Sequence, residues 1–334
     1  MIQLMSIDTK LQEPLVSVII PTYNRPEYLK QAIASALLQT YQNIEIIVSD
    51  NCSSENPQAI IESFGDSRIR FWRQQYNVGM IANQLSAFKM ARGKYVASLH
   101  DDDMWNQDFL SKLVPPLEAN SQLILAFCDQ YIIDAQGKIK EVGTEENTRN
   151  YKRDKLAAGI HQPFTKIGLV DKSIATAAAC VIRNHIIDWD SIPLESGGMW
   201  DLYLTYICCI SGFGAYYYPE RLTRYRCHEQ SDTMLSGSRD VQAKISKAKT
   251  EMFCYQVLML DDSLQEFKQH FQQQWLAANT TFAIGLLRTK ETVAARPYLW
   301  RALSKQRFNF RTIAALILSF IPRFLANPLL GTAK

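Results

Sequence analysis

Three consecutive aspartates, Asp101, Asp102 and Asp103, sit near the end of the stretch YVASLHDDDMW (95–105). The residues before them are mainly apolar, so the stretch reads as a buried strand that delivers a carboxylate cluster to one end of a core. Crowded carboxylates out of water are costly unless something positive meets them. A cation, a basic side chain or a helix N-terminus, whose dipole favours negative charge, would each serve. A further carboxylate, Asp50, closes another apolar run, NIEIIVSDN (43–51). Later in the chain Arg224, Arg226 and His228 fall on alternate positions of TRYRCH (223–228). On a strand such residues share one face, which fits a common cationic role or an exposed edge.

The elements that must position these groups follow from periodicity. LVSVIIP (15–21) is a β-branched apolar run closed by proline and predicts a strand buried on both faces. TYNRPEYLKQAIASALLQ (22–39) predicts a helix with Pro26 in its first turn and Asn24 as its cap. NIEIIVSDN then completes a βαβ unit, which implies parallel pairing and a right-handed crossover. The pattern repeats: a helix at 58–64, the strand IRFWRQ (69–74), a helix in NVGMIANQLSAFKMARG (77–93) and the strand KYVASLH (94–100). In an open α/β sheet, ligands gather at the carboxyl ends of the strands, where Asp50 and the aspartate triplet lie.

Beyond Trp105, NQDFLSKLVPPLEAN (106–120) reads as a helix up to the prolines, and LILAFCDQYIID (123–134) as a strand. The polar segment 137–158 predicts a hairpin and an exposed loop, and SIATAAACVIRN (173–184) a strand. SGGMWDLYLTYICCISG (196–212) reads as a loop entering a helix, and FGAYYYPERLTRYRCH (213–228) as paired strands. From about Ser236 long helical segments take over. The division is therefore an N-terminal extension (1–14), an α/β domain (15–235) and a helical region (236–334).

Composition narrows the function. With 334 residues, 47% of them hydrophobic, the chain builds a substantial core. A net charge of +3 gives no support for a nucleic-acid partner, which calls for a concentrated basic excess. Seven cysteines, without regular spacing, argue against a disulfide framework or a zinc site and suit a reducing, cytoplasmic setting. No basic segment followed by an apolar core opens the sequence, and no run of 18 apolar residues occurs, so neither a signal peptide nor a membrane span is expected.

Four segments, in order and on the expected elements, resemble the family 2 glycosyltransferases. They are VSVIIPTYNRPEYLKQAIASALLQTYQNIEIIVSDNCS, NVGMIANQLSAFKMARGKYVASLHDDDMW, MWDLYLTYICCISG and YRCHEQS, together spanning roughly Val16 to Thr233. The resemblance implies a GT-A-like fold: an open, mostly parallel α/β sheet flanked by helices, with a helical C-terminal region after it. It implies transfer of a sugar from a nucleotide-diphosphate donor to an acceptor hydroxyl on a saccharide or a lipid-linked molecule. It implies a divalent cation, Mg²⁺ or Mn²⁺, that neutralises the departing diphosphate as a Lewis acid.

Carried over position by position, the resemblance assigns Asp102 and His228 to the metal and Asp101 to the ribose side. Asp103 shapes the site or begins the next loop. Thr22, Tyr23, Asn24 and Arg25 match the first donor loop, Asp50 a nucleobase or ribose contact, and Asn77 and Gly79 a second donor-side loop. Arg224 and Arg226 stand where they can hold phosphate. Asp201 matches the base that deprotonates the acceptor, which implies inversion in a single displacement. A helix-capping role is the rival, and Glu195 on the same loop is the fallback base. Many relatives are acidic where this chain has His100, for which packing or hydrogen bonding is expected and metal ligation is the alternative.

The tail, RFNFRTIAALILSFIPRFLANPLLG (307–331), mixes basic, aromatic and apolar residues. It suits a membrane interface, and equally a helix packed on the catalytic domain. Two other functions fit parts of the pattern: a non-catalytic nucleotide-sugar-binding protein keeping the fold, and a nucleotidyltransferase. The latter calls for a glycine-rich basic loop after the first strand, which PTYNRPEY (21–28) is not.

Overall fold

The computed structural model describes residues 13–174, 178–228, 240–306, 308–322 and 325–326. Its first part alternates as the periodicity requires: β1 (Val16–Thr22), α1 (Pro26–Leu37), β2 (Ile44–Asp50), α2 (Gln58–Glu62), β3 (Ile69–Arg73), α3 (Met80–Lys89) and β4 (Tyr95–Ser98). β1 pairs in parallel with β2 and with β4, and β2 with β3. The register sets Thr22 opposite Asp50 and Ile19 opposite Ser98. Three carboxyl ends therefore finish side by side, and the aspartates that follow β4 emerge next to Thr22.

The second part adds β5 (Met104–Trp105), α4 (Phe109–Ala119), β6 (Leu123–Ile133), α5 (Glu141–Asn150), β7 (Gly159–His161), β8 (Cys180–Arg183), α6 (Trp200–Ile210) and β9 (Gly214–Arg226). The sheet order is β3-β2-β1-β4-β8-β6-β9-β5, with β7 also on β9. β8 is antiparallel to both β4 and β6, while β6 and β9 are parallel. The sheet is thus parallel across its first half and mixed beyond β4. Alternation along β1 decides the core: Val16, Val18 and Ile20 face a cluster with Leu29, Ile33 and Phe109, while Ile19 faces Leu85, Phe88 and Trp200.

Three local expectations change. α4 continues through Pro115 and Pro116 to Ala119, because buried Leu113, Val114 and Leu117 anchor that turn and offset the lost backbone bonds. Segment 141–150 is the helix α5, docked by polar rather than apolar contacts. The Thr144 hydroxyl accepts from Ile132 N at 2.9 Å, and Thr148 donates to Asp129 at 2.7 Å. Arg153, 3% exposed, donates to the other Asp129 oxygen at 2.6 Å. Residues 214–226 form one strand and not a pair, since β9 stays on β6 through an irregular register at Asp129.

After the α/β part come α7 (Val241–Leu260), α8 (Lys268–Arg288), α9 (Thr292–Lys305) and α10 (Phe310–Leu318). One apolar cluster, including Phe282, Leu287, Leu299 and Leu316, joins these helices to each other. A second ties them to the sheet layer: Leu202 and Tyr206 of α6 pack with Tyr255, Leu258 and Phe271 of α7 and α8. The boundary expected at 235/236 falls within 229–239, outside the described residues, as does most of the 1–14 extension.

Candidate active site

The aspartates hold arginines. Asp101 is 4% exposed, and its Oδ2 accepts from the Thr22 hydroxyl at 2.8 Å and from Tyr23 N at 3.4 Å. Arg25 Nη1 donates to Asp101 Oδ1 at 3.2 Å and to Asp102 Oδ2 at 2.9 Å. On the other side, His228 Nε2 lies 3.0 Å from the same Asp102 oxygen. The chain thus surrounds Asp102 with a guanidinium from the β1–α1 loop and an imidazole from beyond β9.

Arg226 was expected to face the donor, and it does not. It is 1% exposed; its Nε donates to Asp102 O at 2.7 Å, Nη1 to Ala135 O at 3.0 Å and Nη2 to Gln31 Oε1 at 2.8 Å. Its guanidinium lies 4.6 Å from the Tyr28 ring centroid, and its backbone N–H reaches Asp103 Oδ1 at 2.9 Å. Arg226 is therefore an internal strut beneath the aspartate turn. Arg224 is partly buried and donates to Asn106 Oδ1 at 3.1 Å.

Asp103, left without a firm role by the sequence, is the most exacting member of the cluster. It is 1% exposed, and its Oδ2 has no hydrogen-bond partner. Ligand atoms of His100, Asp102 and Asp103 lie within 4.8 Å of one another. Two carboxylates and an imidazole around a buried, unpartnered oxygen fit a divalent cation such as Mn²⁺ or Mg²⁺. The electrostatics agree: burial and the Asp102 charge push Asp101 up to about 7, against the pull of Arg25 and Thr22. The same two causes push Asp103 well above the usual carboxylate range. A site that resists holding three charges has room for added positive charge.

Beside this cluster a pocket of about 170 Å³ opens between Thr22, Asn24, Arg25, Ser53, Ser54 and Glu55. Asn24, expected as a helix cap, has φ +54° and instead accepts from Ser54 N at 2.8 Å, tying the β1 loop to the β2 loop. Asp50 lies beneath: it is fully buried, accepts from Ser53 N and the Ser53 hydroxyl, and pairs with Arg73 at 2.9 Å. Its carboxylate is turned inward and shapes the pocket wall. Asn77 Oδ1 accepts from Gly79 N at 2.9 Å and from Asn51 Nδ2 at 3.0 Å. Gly79 precedes α3 with φ +88°, a conformation that side-chain-bearing residues rarely adopt. Tyr23, between the lining residues Thr22 and Asn24, is 44% exposed.

Asp201 occupies the first turn of α6, where Met199 is the N-cap residue. Capping is therefore not its position; its Oδ1 accepts from the adjacent Leu202 N at 2.8 Å. Burial pushes its carboxyl up, and the Leu202 N–H, His100 and Lys172 pull it back. His100 faces both sides, within the aspartate cluster and 6.2 Å from the ring of Trp200 beside Asp201. Glu195 is exposed on the preceding 3₁₀ turn. Sequence reasoning missed Lys172, for which no motif exists.

Comparison with known proteins gives this arrangement its class. Residues 17–168 match the family model described as glycosyl transferase family 2. That segment carries a glycosyl transferase family 2 domain. An uncharacterized glycosyltransferase of Haemophilus influenzae is 28% identical over 248 residues, covering 72% of this chain and 74% of that protein. The UDP-Glc:alpha-D-GlcNAc-diphosphoundecaprenol beta-1,3-glucosyltransferase WfgD of Escherichia coli is 38% identical over 95 residues, covering 28% of this chain and 38% of its own length. In fold the chain is similar to S. aureus TarS in complex with UDP-GlcNAc, at TM-score 0.63 and 14% identity over 91% of this chain and 90% of that one. It is also similar to the mannosyltransferase PcManGT of Pyrobaculum calidifontis in complex with GDP-Man and Mn²⁺, at TM-score 0.57 and 16% identity over 92% and 88%. The glycosyltransferase has the GT-A-like α/β sheet followed by a helical C-terminal region that its sequence implied.

Proposed function

We propose that this glycosyltransferase moves a sugar from a nucleoside-diphosphate donor to an acceptor hydroxyl, with inversion and with a divalent cation. The observation that carries the reading is the buried, unpartnered Asp103 oxygen beside Asp102 and His100, with the His100 ring 6.2 Å from that of Trp200, the neighbour of Asp201. Asp102, Asp103 and His100 would hold the cation, with His228 against Asp102. When bound, the cation supplies Lewis-acid neutralisation of the diphosphate.

The chain's own groups have separable tasks. Tyr23, Asn24, Asn77 and the 170 Å³ pocket take the nucleoside, while Asp50 holds that wall in shape. Arg25, which bridges two carboxylates and lines the pocket, suits the diphosphate. Asp201 accepts the acceptor proton as the acceptor oxygen bonds to the anomeric carbon. The bond from that carbon to the diphosphate breaks, and its electron pair leaves on the diphosphate. No covalent intermediate intervenes, which is why the configuration inverts.

The acceptor we infer is lipid-linked. The WfgD relative is named for a diphosphoundecaprenol acceptor. No helix among the described residues is long and apolar enough to cross a membrane. Phe308 and Phe310 are 85% and 83% exposed, next to Arg311, which suits contact with an anionic bilayer surface.

The test is hydrolysis and transfer across a panel of nucleotide sugars, with and without Mn²⁺. Metal-independent turnover equal to the metal-supplemented rate, or a retained anomeric configuration in the product, would remove the reading.

A further inference from the structure

Toward the β9 end of the sheet lies a second cavity, of about 630 Å³ against 170 Å³ for the pocket beside the aspartates. Sites for small molecules commonly enclose roughly 300–1,000 Å³. The cavity shares no lining residue with that pocket, and none of His100, Asp101, Asp102, Asp103 and Asp201 lines it. Leu222, its lining residue nearest Arg226 along β9, stands roughly 13 Å from Arg226 at the rise of a strand.

An irregular strand makes the space. Tyr218 of β9 faces Cys128 of β6, the next pair is Arg221 with Asp129, and the one after is Thr223 with Gln130. Pro219, Glu220 and Leu222 are therefore extra residues on β9, and extra residues bend a strand away from its neighbour. Pro219 has no N–H to give the ladder and suits the break. Asn106 pins the bulge, its N–H donating to Leu222 O at 2.8 Å and its side chain to Arg221 O at 3.1 Å. Glu145 and Thr148 of α5 line the same cavity.

Its polar lining is fixed and partly buried. Asp129, 4% exposed, accepts from Arg153 Nε at 2.6 Å, from the Thr148 hydroxyl at 2.7 Å and from Arg221 Nε at 3.3 Å. Arg221 also donates to Glu145 at 2.8 Å, and its guanidinium lies 5.8 Å from the Tyr131 ring centroid. Replacing buried ions by apolar side chains of similar volume is often neutral or stabilising, so stability alone does not call for this network.

The chemistry of the lining selects a ligand. Five carboxylates stand against two guanidiniums, Arg153 and Arg221, which disfavours a nucleotide, a diphosphate or a lipid phosphate. A full cation fares little better, because most of the carboxylates are already paired. Asp129 and Glu145 hold arginines, and Asp108 and Glu220 share Lys112 at 2.6 and 2.5 Å. Ion pairs fixed side by side present donors and acceptors together. That matches hydroxyl groups, each with one donor and two acceptor lone pairs. Half-buried Tyr131 adds an aromatic ring.

We propose that this cleft binds a neutral oligosaccharide, part of an acceptor or a product, away from the reacting atoms. The choice of a saccharide rests on the proposed sugar transfer, whereas the cleft rests on the geometry of β6, β9 and α5.

The test applies the labelled native chain, with and without UDP and Mn²⁺, to a printed array of neutral and acidic oligosaccharides. Calorimetry then measures the strongest binder, with spermine as a cationic probe. Neutral oligosaccharides should bind, and UDP with Mn²⁺ should leave that binding in place. Tyr131→Ala should weaken it about tenfold, the upper end of what an aromatic contact contributes. Asp154→Arg adds bulk and positive charge at an exposed lining position and should weaken it too, should Tyr131→Ala fold poorly. Both variants should keep the native affinity for UDP with Mn²⁺ and the native rate of nucleotide-sugar hydrolysis.

No binding of any oligosaccharide, or binding that both variants retain, overturns the proposal. Preference for acidic saccharides or for spermine overturns the ligand class, and binding abolished by UDP with Mn²⁺ moves the saccharide to the reaction centre. A native chain that hydrolyses no donor yet binds oligosaccharide through Tyr131 supports the cleft and overturns the proposed reaction.

Discussion

His228 Nε2 lies 3.0 Å from Asp102 Oδ2 across 126 residues of sequence. Arg25 Nη1 meets the same oxygen at 2.9 Å from the opposite end of the domain. One carboxylate oxygen is therefore the point where the first loop, the aspartate turn and the last strand converge. The chain brings a guanidinium and an imidazole to that point from two directions.

Asp103→Asn separates metal binding from folding. Asparagine keeps a carbonyl oxygen for the Arg226 N–H but loses the charge and one carboxylate oxygen. Mn²⁺ affinity should fall at least about tenfold and transfer with it, the scale seen when a metal site loses a supporting group. Circular dichroism should be unchanged. Native-like Mn²⁺ titration of a folded Asp103→Asn protein would exclude this residue from the metal site.

Arg226→Met tests the strut. The variant leaves Asp102 O, Ala135 O and Gln31 without their buried donor. The expected cost is roughly 1–3 kcal/mol for each buried acceptor left without a partner. Urea unfolding measures it. Native stability together with weakened UDP binding would instead return Arg226 to the donor side.

Transfer by Asp201→Asn should fall on the order of 10²–10⁴-fold, with donor affinity kept. Glu195→Gln, at an exposed turn, should stay near the native rate. The reverse outcome would make Glu195 the base.

Stability should depend on pH through Asp101. Its folded value, about 7, lies above the ordinary 3.8, so the native state binds more protons than the unfolded chain between these values. The contribution is complete below the ordinary value and is lost as pH rises toward 7. In EDTA the melting temperature should decline across that window, and the decline should be smaller in Asp101→Asn. A native protein and a variant with parallel profiles would show that Asp101 is ionised throughout.

Phe308→Ser with Phe310→Ser should reduce binding to anionic phosphatidylglycerol vesicles while UDP affinity holds. Both rings are more than four-fifths exposed, so the fold loses little by the change. Equal vesicle binding by native and variant chains would assign these aromatics another role.

The sequence by itself determined the elements and their order, because these depend on short-range periodicity. β1, β2, β3, β4, α1 and α3 occupy the segments that apolar patterning marks, and the aspartates fall at a strand end as that patterning requires. It also marked Asp101, Asp102 and Asp201, since acidic residues at such ends stand out against apolar runs. Only the tertiary structure decided which way each polar group faces. Arg226 and Arg224 alternate identically in sequence, yet the sheet and Tyr28 enclose one while the other meets Asn106 near the surface. Asp50 turned inward because Ser53 and Arg73 are close enough to satisfy it. α5 looked like an exposed loop because its docking bonds run to Asp129 and Ile132, which lie 12–19 residues earlier in the chain. Lys172 carries no local signal, since its partner Tyr255 stands on α7, 83 residues later. A side chain's direction is set by the energy of burying it against distant partners, and that energy exists only once the chain has brought them together.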